Sequence, residues 1–282
     1  MNLRRHSGNV TGIKRPVPTC SYNPPATSVT IIRLTYERLP GGEPQKIWYN
    51  GSSSGVWNAG EFVTMAYTNG LRVSSEDWST TADLAYTYND AGSRLTRALG
   101  AAVSTATYKP GFQINGITGS GGAVSETWDY DTGGRVKTLN RGVGCSMTWT
   151  AVDQLKTATV NGGVTTYKYD PMGRRIEAVK AGGITRRFVI GPTAGTGLEV
   201  IHAVANTNGV LQALYVYHGD RPIVRFTVDG TGKPVNPVYY LEDAQGSVVA
   251  LTDGAGTTTR FRYDAFGVPR TKVVPNRWTI FP

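Results

Sequence analysis

The stretch Tyr239–Gly267, YYLEDAQGSVVALTDGAGTTTRFRYDAFG, decides the fold. Ser247, Val249 and Leu251 alternate with Val248 and Ala250, the two-residue period of a strand. Asp253-Gly254 and Ala255-Gly256 supply a turn. Thr258, Arg260 and Arg262 then alternate with Thr259, Phe261 and Tyr263. That predicts one polar face and one apolar or aromatic face. Asp264-Ala265-Phe266-Gly267 closes the stretch as a second turn.

The same unit, an aromatic strand end followed by a turn, recurs upstream. Its aromatic starts are Tyr67, Tyr88, Tyr108, Tyr130, Trp149 and Tyr169, separated by 21, 20, 22, 19 and 20 residues. A period near 20 marks a repeat architecture. The residue two before each start is usually large and apolar, as with Tyr86, Trp128, Met147, Tyr167 and Phe261. Positions i and i−2 share one face of a strand, whereas a helix would point them apart. The turns follow from Tyr88, Asp90, Gly92; Tyr130, Asp131, Gly134; Tyr169, Asp170, Gly173; and Tyr263, Asp264, Gly267. Asp caps the turn through backbone N–H groups, and Gly takes the left-handed position of a type I turn with a bulge. Each repeat is then one β-hairpin, too short to fold alone. The expected fold is all-β, a spiral ribbon of antiparallel hairpins stacked edge to edge. Its segments are an irregular basic lead-in with short strands at 1–60, the repeat array at 61–187, further hairpins at 188–270 and a tail at 271–282.

Composition agrees. The 282 residues include 35 Gly, 15 Tyr and 6 Trp with only 17% charged, which suits short strands and tight turns. A hydrophobic content of 39% fits sheets with one wetted face. The net charge of +9 raises the chance of an anionic partner, although solubility without a specific partner accounts for it as well. Arg174, Arg175, Lys180, Arg186 and Arg187 form a local cluster, but no helix gathers them into a DNA-reading module. Cys20 and Cys145 sit in no metal-binding spacing, and no cofactor or metal is expected. No secretory leader or membrane-spanning apolar run is visible in this sequence.

These residues carry a resemblance. The pattern Tyr-Asp/Asn-x-x-Gly-Arg at 20-residue spacing, with YVYHGDRPIVRF (Tyr215–Phe226) and the opening stretch, resembles the YD-repeat or rearrangement-hot-spot (RHS) family over most of Tyr67–Gly267. The resemblance implies a hollow β-shell that encapsulates or delivers a toxin domain, or that contacts cell-surface glycans, on secreted or surface proteins of bacteria. It places the chain just before the family's C-terminal core and implies flanking RHS segments beyond it. Many members carry a self-cleavage segment with Asp-Pro followed by Gly-Leu. None follows Gly267, and Tyr169-Asp170-Pro171 is a repeat turn, so self-cleavage is not carried over.

Catalytic alternatives are few. GSSSG at Gly51–Gly55 matches the G-x-S-x-G pattern, which would make Ser53 a nucleophile with Asp170 and His202 or His218 as partners. Such an elbow needs a helix after the serine, and VWNAGEFVTM shows little helical pattern. Glu242, Asp243, Asp253 and Asp264 are carboxylates that could serve a glycan hydrolase. Asp253 and Asp264 stand where turn-capping residues belong. The expectation is therefore a structural or interaction protein rather than an enzyme.

Overall fold

The computed structural model describes residues 29–50, 61–121, 123–253, 255 and 257–270, and the backbone of three short strands before them. None of these residues is helical. The strands are β1 (Arg5–His6), β2 (Asn9–Val10), β3 (Ile13–Arg15), β4 (Val29–Arg38), β5 (Pro44–Asn50), β6 (Phe62–Tyr67), β7 (Val73–Trp78), β8 (Leu84–Tyr88), β9 (Arg94–Leu99), β10 (Ala102–Tyr108), β11 (Ile114–Ser120) and β12 (Glu126–Tyr130). They continue as β13 (Val136–Asn140), β14 (Gly144–Trp149), β15 (Leu155–Val160), β16 (Gly163–Tyr169), β17 (Arg175–Lys180), β18 (Thr185–Pro192), β19 (Glu199–Ala205), β20 (Leu211–His218), β21 (Arg221–Val228), β22 (Pro234–Glu242), β23 (Val248–Asp253) and β24 (Thr258–Arg260). The fold is all-β, built from antiparallel hairpins that pair edge to edge with their neighbours.

Two compact units divide the chain, and they cut across the four sequence segments. One gathers Met1–Asp83, Tyr215–Thr227 and Pro234–Phe281; the other holds Leu84–Leu214 and Val228–Lys233. In the first unit β3 through β7 pair in chain order. The late strands β22, β23 and β24 pair with one another and pack on those early strands. Leu34, Tyr36, Ile47, Val63 and Trp78 form one buried cluster with Leu241, Val249 and Ala250. The opening stretch therefore forms the cover of an N-terminal sheet.

This corrects two expectations. Val249, Ala250, Leu251 and Thr252 are buried in succession, so β23 has no wetted face. After β24, Arg262 is as buried as Phe261, at 5% and 4% exposure. The alternation identifies which residues share a face; here both faces are covered.

In the second unit, β8 to β20 form one meander. The register slips by one residue at each aromatic start, between Thr87 and Tyr88, Asp129 and Tyr130, Thr148 and Trp149, and Lys168 and Tyr169. These are the bulges expected beside a type I turn. Gly134 and Gly173 sit there at φ 79° and 83°, where a Cβ would be strained. Other turns place Leu71, Phe112 and Asp153 in that left-handed position instead.

Candidate functional site

Seven of the turns are built one way. Oδ1 of Asp131 accepts the N–H groups of Gly133 and Arg135, and Oδ1 of Asp170 accepts those of Met172 and Arg174. Asp229, Asp243, Asp253, Asp264 and Asn206 do the same two and four residues on. In the Tyr88 turn the cap is Asn89, which accepts the N–H of Ser93 at 2.8 Å, and not Asp90. Three of the carboxylates weighed for glycan hydrolysis, Asp243, Asp253 and Asp264, are thus committed to backbone. Glu242 lies 3.5 Å from Arg221.

The second carboxylate oxygen recruits arginine. Asp131 Oδ2 binds Arg135, whose Nη1 reaches on to Asp153 at 2.7 Å and to the carbonyl of Thr150. Arg174 likewise bridges Asp170 and Glu199. The side-chain hydrogen bond from Arg135 holds the Asp131 carboxyl below the usual range. At Asp170 desolvation opposes the shift, but the Arg174 N–H and guanidinium outweigh it and the carboxyl is again lowered. Glu177, buried between Lys168 and Arg187, is lowered by both. A depressed folded pKa stabilises fully above the unfolded value and is lost as pH falls through the folded one. The urea midpoint should therefore hold from neutrality to about pH 5 and drop below about pH 4. A midpoint unchanged to about pH 3 would contradict this network.

The repeated aromatic has a role its position alone does not reveal. The hydroxyls of Tyr108, Tyr130 and Tyr169 donate to the carbonyls of Arg94, Ile114 and Leu155, at 2.6, 2.9 and 2.9 Å. Tyr67 and Tyr263 donate to Pro44 and Val248. Each acceptor is the first residue of a strand in the preceding hairpin. Trp149 replaces tyrosine because its indole N–H reaches Val136 in the same way, at 2.8 Å. The aromatic is a rivet between hairpins. Tyr130→Phe or Tyr169→Phe should each cost about 1 kcal/mol in urea denaturation; losses below about 0.3 kcal/mol would show that the ring alone holds the hairpins.

Ser53 lies outside the described residues. Asp170 is held by its turn, His202 Nε2 lies 3.2 Å from the Pro192 carbonyl, and His218 is exposed at the end of β20. Among the described residues no group of His, Cys, Asp and Glu could hold a metal ion, and Cys145 is a free thiol. Among the described residues no helix is long and apolar enough to cross a membrane.

What the second unit offers is a face. Directly opposed residues on antiparallel neighbours share a side of the sheet. Trp128 opposes Leu139, and Leu139 opposes Cys145. Met147 opposes Ala158, and Ala158 opposes Thr165. Tyr167 opposes Ala178, which opposes Arg186. With Tyr130, Trp149 and Tyr169 these make one continuous aromatic face. The other side carries Thr138, Ser146, Thr148, Thr157, Thr159 and Thr166, with the hydroxyls of Thr148 and Thr157 2.6 Å apart. It also carries paired charges, Lys168–Glu177–Arg187.

The aromatic face is not buried. Among the described residues between Thr87 and His202, only Glu177 and Thr193 are buried, and neither is apolar. Trp128, Tyr130, Met147, Trp149, Tyr167 and Tyr169 are all half-buried. The first unit has the equivalent face, with Met65 opposite Glu76 and Val63 opposite Trp78, and there β22 and β23 cover it.

Comparison with known proteins follows this geometry. The family model described as RHS Repeat matches residues 149–185 and 243–274, the Tyr169 hairpin and most of the opening stretch. The tRNA3(Ser)-specific nuclease WapA of Bacillus spizizenii is 30% identical over 189 residues, 65% of this chain and 7% of that protein. The tRNA(Glu)-specific nuclease WapA of Bacillus subtilis subsp. natto is 32% identical over 126 residues, 43% of this chain and 5% of the relative. The chain thus spans under a tenth of the length of these relatives. A crystal structure of TcdB2-TccC3 aligns over 87% of this chain and 22% of its own, at 11% identity and a TM-score of 0.38.

Proposed function

We propose that this chain of RHS repeats is a toxin-associated, non-catalytic β-strip whose aromatic face holds an extended segment of a toxin polypeptide. The observation that carries the reading is the half-buried face of Trp128, Met147, Trp149 and Tyr167, apolar on a strip that fully buries no apolar side chain among the described residues from 87 to 202. A contiguous apolar face that the chain itself does not bury is a candidate interaction site. The first unit supports the choice of an extended partner. There the same face is closed by hairpin strands of the chain itself. The resemblance to RHS proteins supports the toxin association, and the commitment of Asp170 and the other turn carboxylates supports a passive role.

The test is binding of a synthetic, uncharged peptide containing Leu and Phe, unstructured in solution, to the full chain, read from tryptophan fluorescence. Saturable binding is expected, abolished by Met147→Glu on the aromatic face and unchanged by Thr148→Glu on the other. Absence of peptide binding overturns the reading. If chito-oligosaccharide binds to the Met147 face instead, a glycan-contacting strip replaces it.

A further inference from the structure

Five basic residues lie close together in sequence, and the strip sorts them. Arg174 stays in its turn with Asp170 and Glu199. Arg187 points to the threonine face and pairs with Glu177. Arg186 opposes Ala178 and so shares the aromatic face with Tyr167. Lys180 opposes Thr165 and lies on the same face. Arg175 opposes Tyr169, its guanidinium 4.5 Å from the Tyr167 ring centre and 5.8 Å from that of Tyr169. Among the described residues, no carboxylate pairs with Arg175, Lys180 or Arg186. On the threonine face of the same strands the charges are matched, Lys168 and Arg187 to Glu177. On β16 to β18, then, the cations without a carboxylate partner lie on the side that carries the aromatic rings.

We infer that the aromatic face at β16 to β18 selects an acidic, extended polypeptide segment, with Arg175, Lys180 and Arg186 meeting its carboxylates and Tyr167 and Tyr169 its apolar side chains. This rests on the polypeptide-holding reading above and names the chemistry of the partner. Arginine suits the task because its planar fork pairs with a carboxylate while its flat face stays stacked on tyrosine. Single-stranded nucleic acid also binds aromatic and cationic surfaces, but it uses a basic groove that tracks the backbone from nucleotide to nucleotide. On β16 to β18 the cations without a carboxylate partner are three, on two adjacent strands, which suits a short acidic run.

The experiment extends the uncharged peptide to an acidic version carrying Glu and a basic version carrying Lys at the same positions. The acidic peptide should bind about tenfold more tightly than the basic one, and raised salt should erase the difference. Arg175→Gln with Arg186→Gln should equalise the two while leaving the uncharged peptide bound. Lys168→Gln with Arg187→Gln, on the other face, should leave the preference intact. Equal affinity for acidic and basic peptides in the unaltered chain overturns the inference, yet leaves the aromatic-face reading standing if the uncharged peptide still binds. Tighter binding of a uridine oligonucleotide than of the acidic peptide overturns it in favour of RNA. A single exposed change, Lys180→Glu, guards against a misfolded double variant and should weaken the acidic peptide alone.

Discussion

Glu76→Ala is expected to lower the unfolding free energy of the chain by about 3–5 kcal/mol, the largest loss of any single side chain here. Glu76 is fully buried, at 0% exposure, in the sheet of the first unit. Its Oε2 accepts the indole N–H of Trp78 at 3.0 Å, and its Oε1 accepts the backbone N–H of Ala265 at 2.8 Å. The first bond is local; the second spans 189 residues. Alanine would strand both donors and open a cavity under the turn at Asp264. A stranded buried donor costs about 1–3 kcal/mol. Glu76→Gln should cost roughly half as much, because its carbonyl serves one donor while its amide repels the other. Urea denaturation gives the size, and hydrogen exchange at Ala265 to Val268 gives the place. A loss under about 1 kcal/mol, or unchanged exchange in that turn, would mean that the cover is held by apolar packing alone.

The repeat was legible in the sequence because its signals are local. Tyrosine ends a strand, aspartate caps the turn, glycine takes the left-handed position, and all fall within five residues. Gly92, Gly134, Gly173 and Gly267 do adopt positive φ. The exception is instructive. Asp90 matched the motif by residue type, but the hydrogen-bond position belongs to Asn89, one residue nearer Tyr88. Position in the turn decides the cap, since Asn and Asp offer the same acceptor. Residues 206, 229 and 243 repeat the cap where the aromatic period has loosened.

What covers a face was not legible. Alternation places Glu76 and Trp78 on one side of β7, but a partner 189 residues away leaves no periodic trace. Arg262 illustrates the limit. Beside Thr258 and Arg260 it reads as part of a wetted edge, and it ends up at the contact between the late and early strands. The signal available was its place in an otherwise aromatic strand end, FRYD, where a long cation can stack on a ring. The second unit shows the converse. Its aromatic face looks like a core in sequence, yet no apolar side chain on it is buried. The same pattern thus yields a covered face in one unit and an open one in the other, and the open one is the candidate for function.

Arg262→Leu tests whether the cover is fastened by a specific ion pair or by burial. The Arg262 side chain is 5% exposed; its Nη2 donates to Glu61 Oε2 at 2.7 Å and its Nη1 to the Phe261 carbonyl at 2.9 Å. Its guanidinium lies 4.2 Å from the centre of the Tyr49 ring, which itself stacks on Trp78 at 6.0 Å. Burial pushes the Tyr49 phenol well above its ordinary range, with Arg262 opposing that shift. Leucine fills the space but removes the pair, the carbonyl bond and the cation–π contact together. Removing one member of a buried pair costs about 3–5 kcal/mol, and Glu61, at 27% exposure, can still turn to water. The expected loss is therefore about 2–4 kcal/mol in urea denaturation, second only to Glu76. Arg262→Lys should recover less than half, since an ammonium cannot bridge Glu61 and the carbonyl while lying flat on Tyr49. If leucine is neutral or stabilising, the buried charge is a burden that hydrophobic packing replaces. The fastening of the opening stretch would then fall to Glu76 and the apolar cluster around Leu241 and Val249.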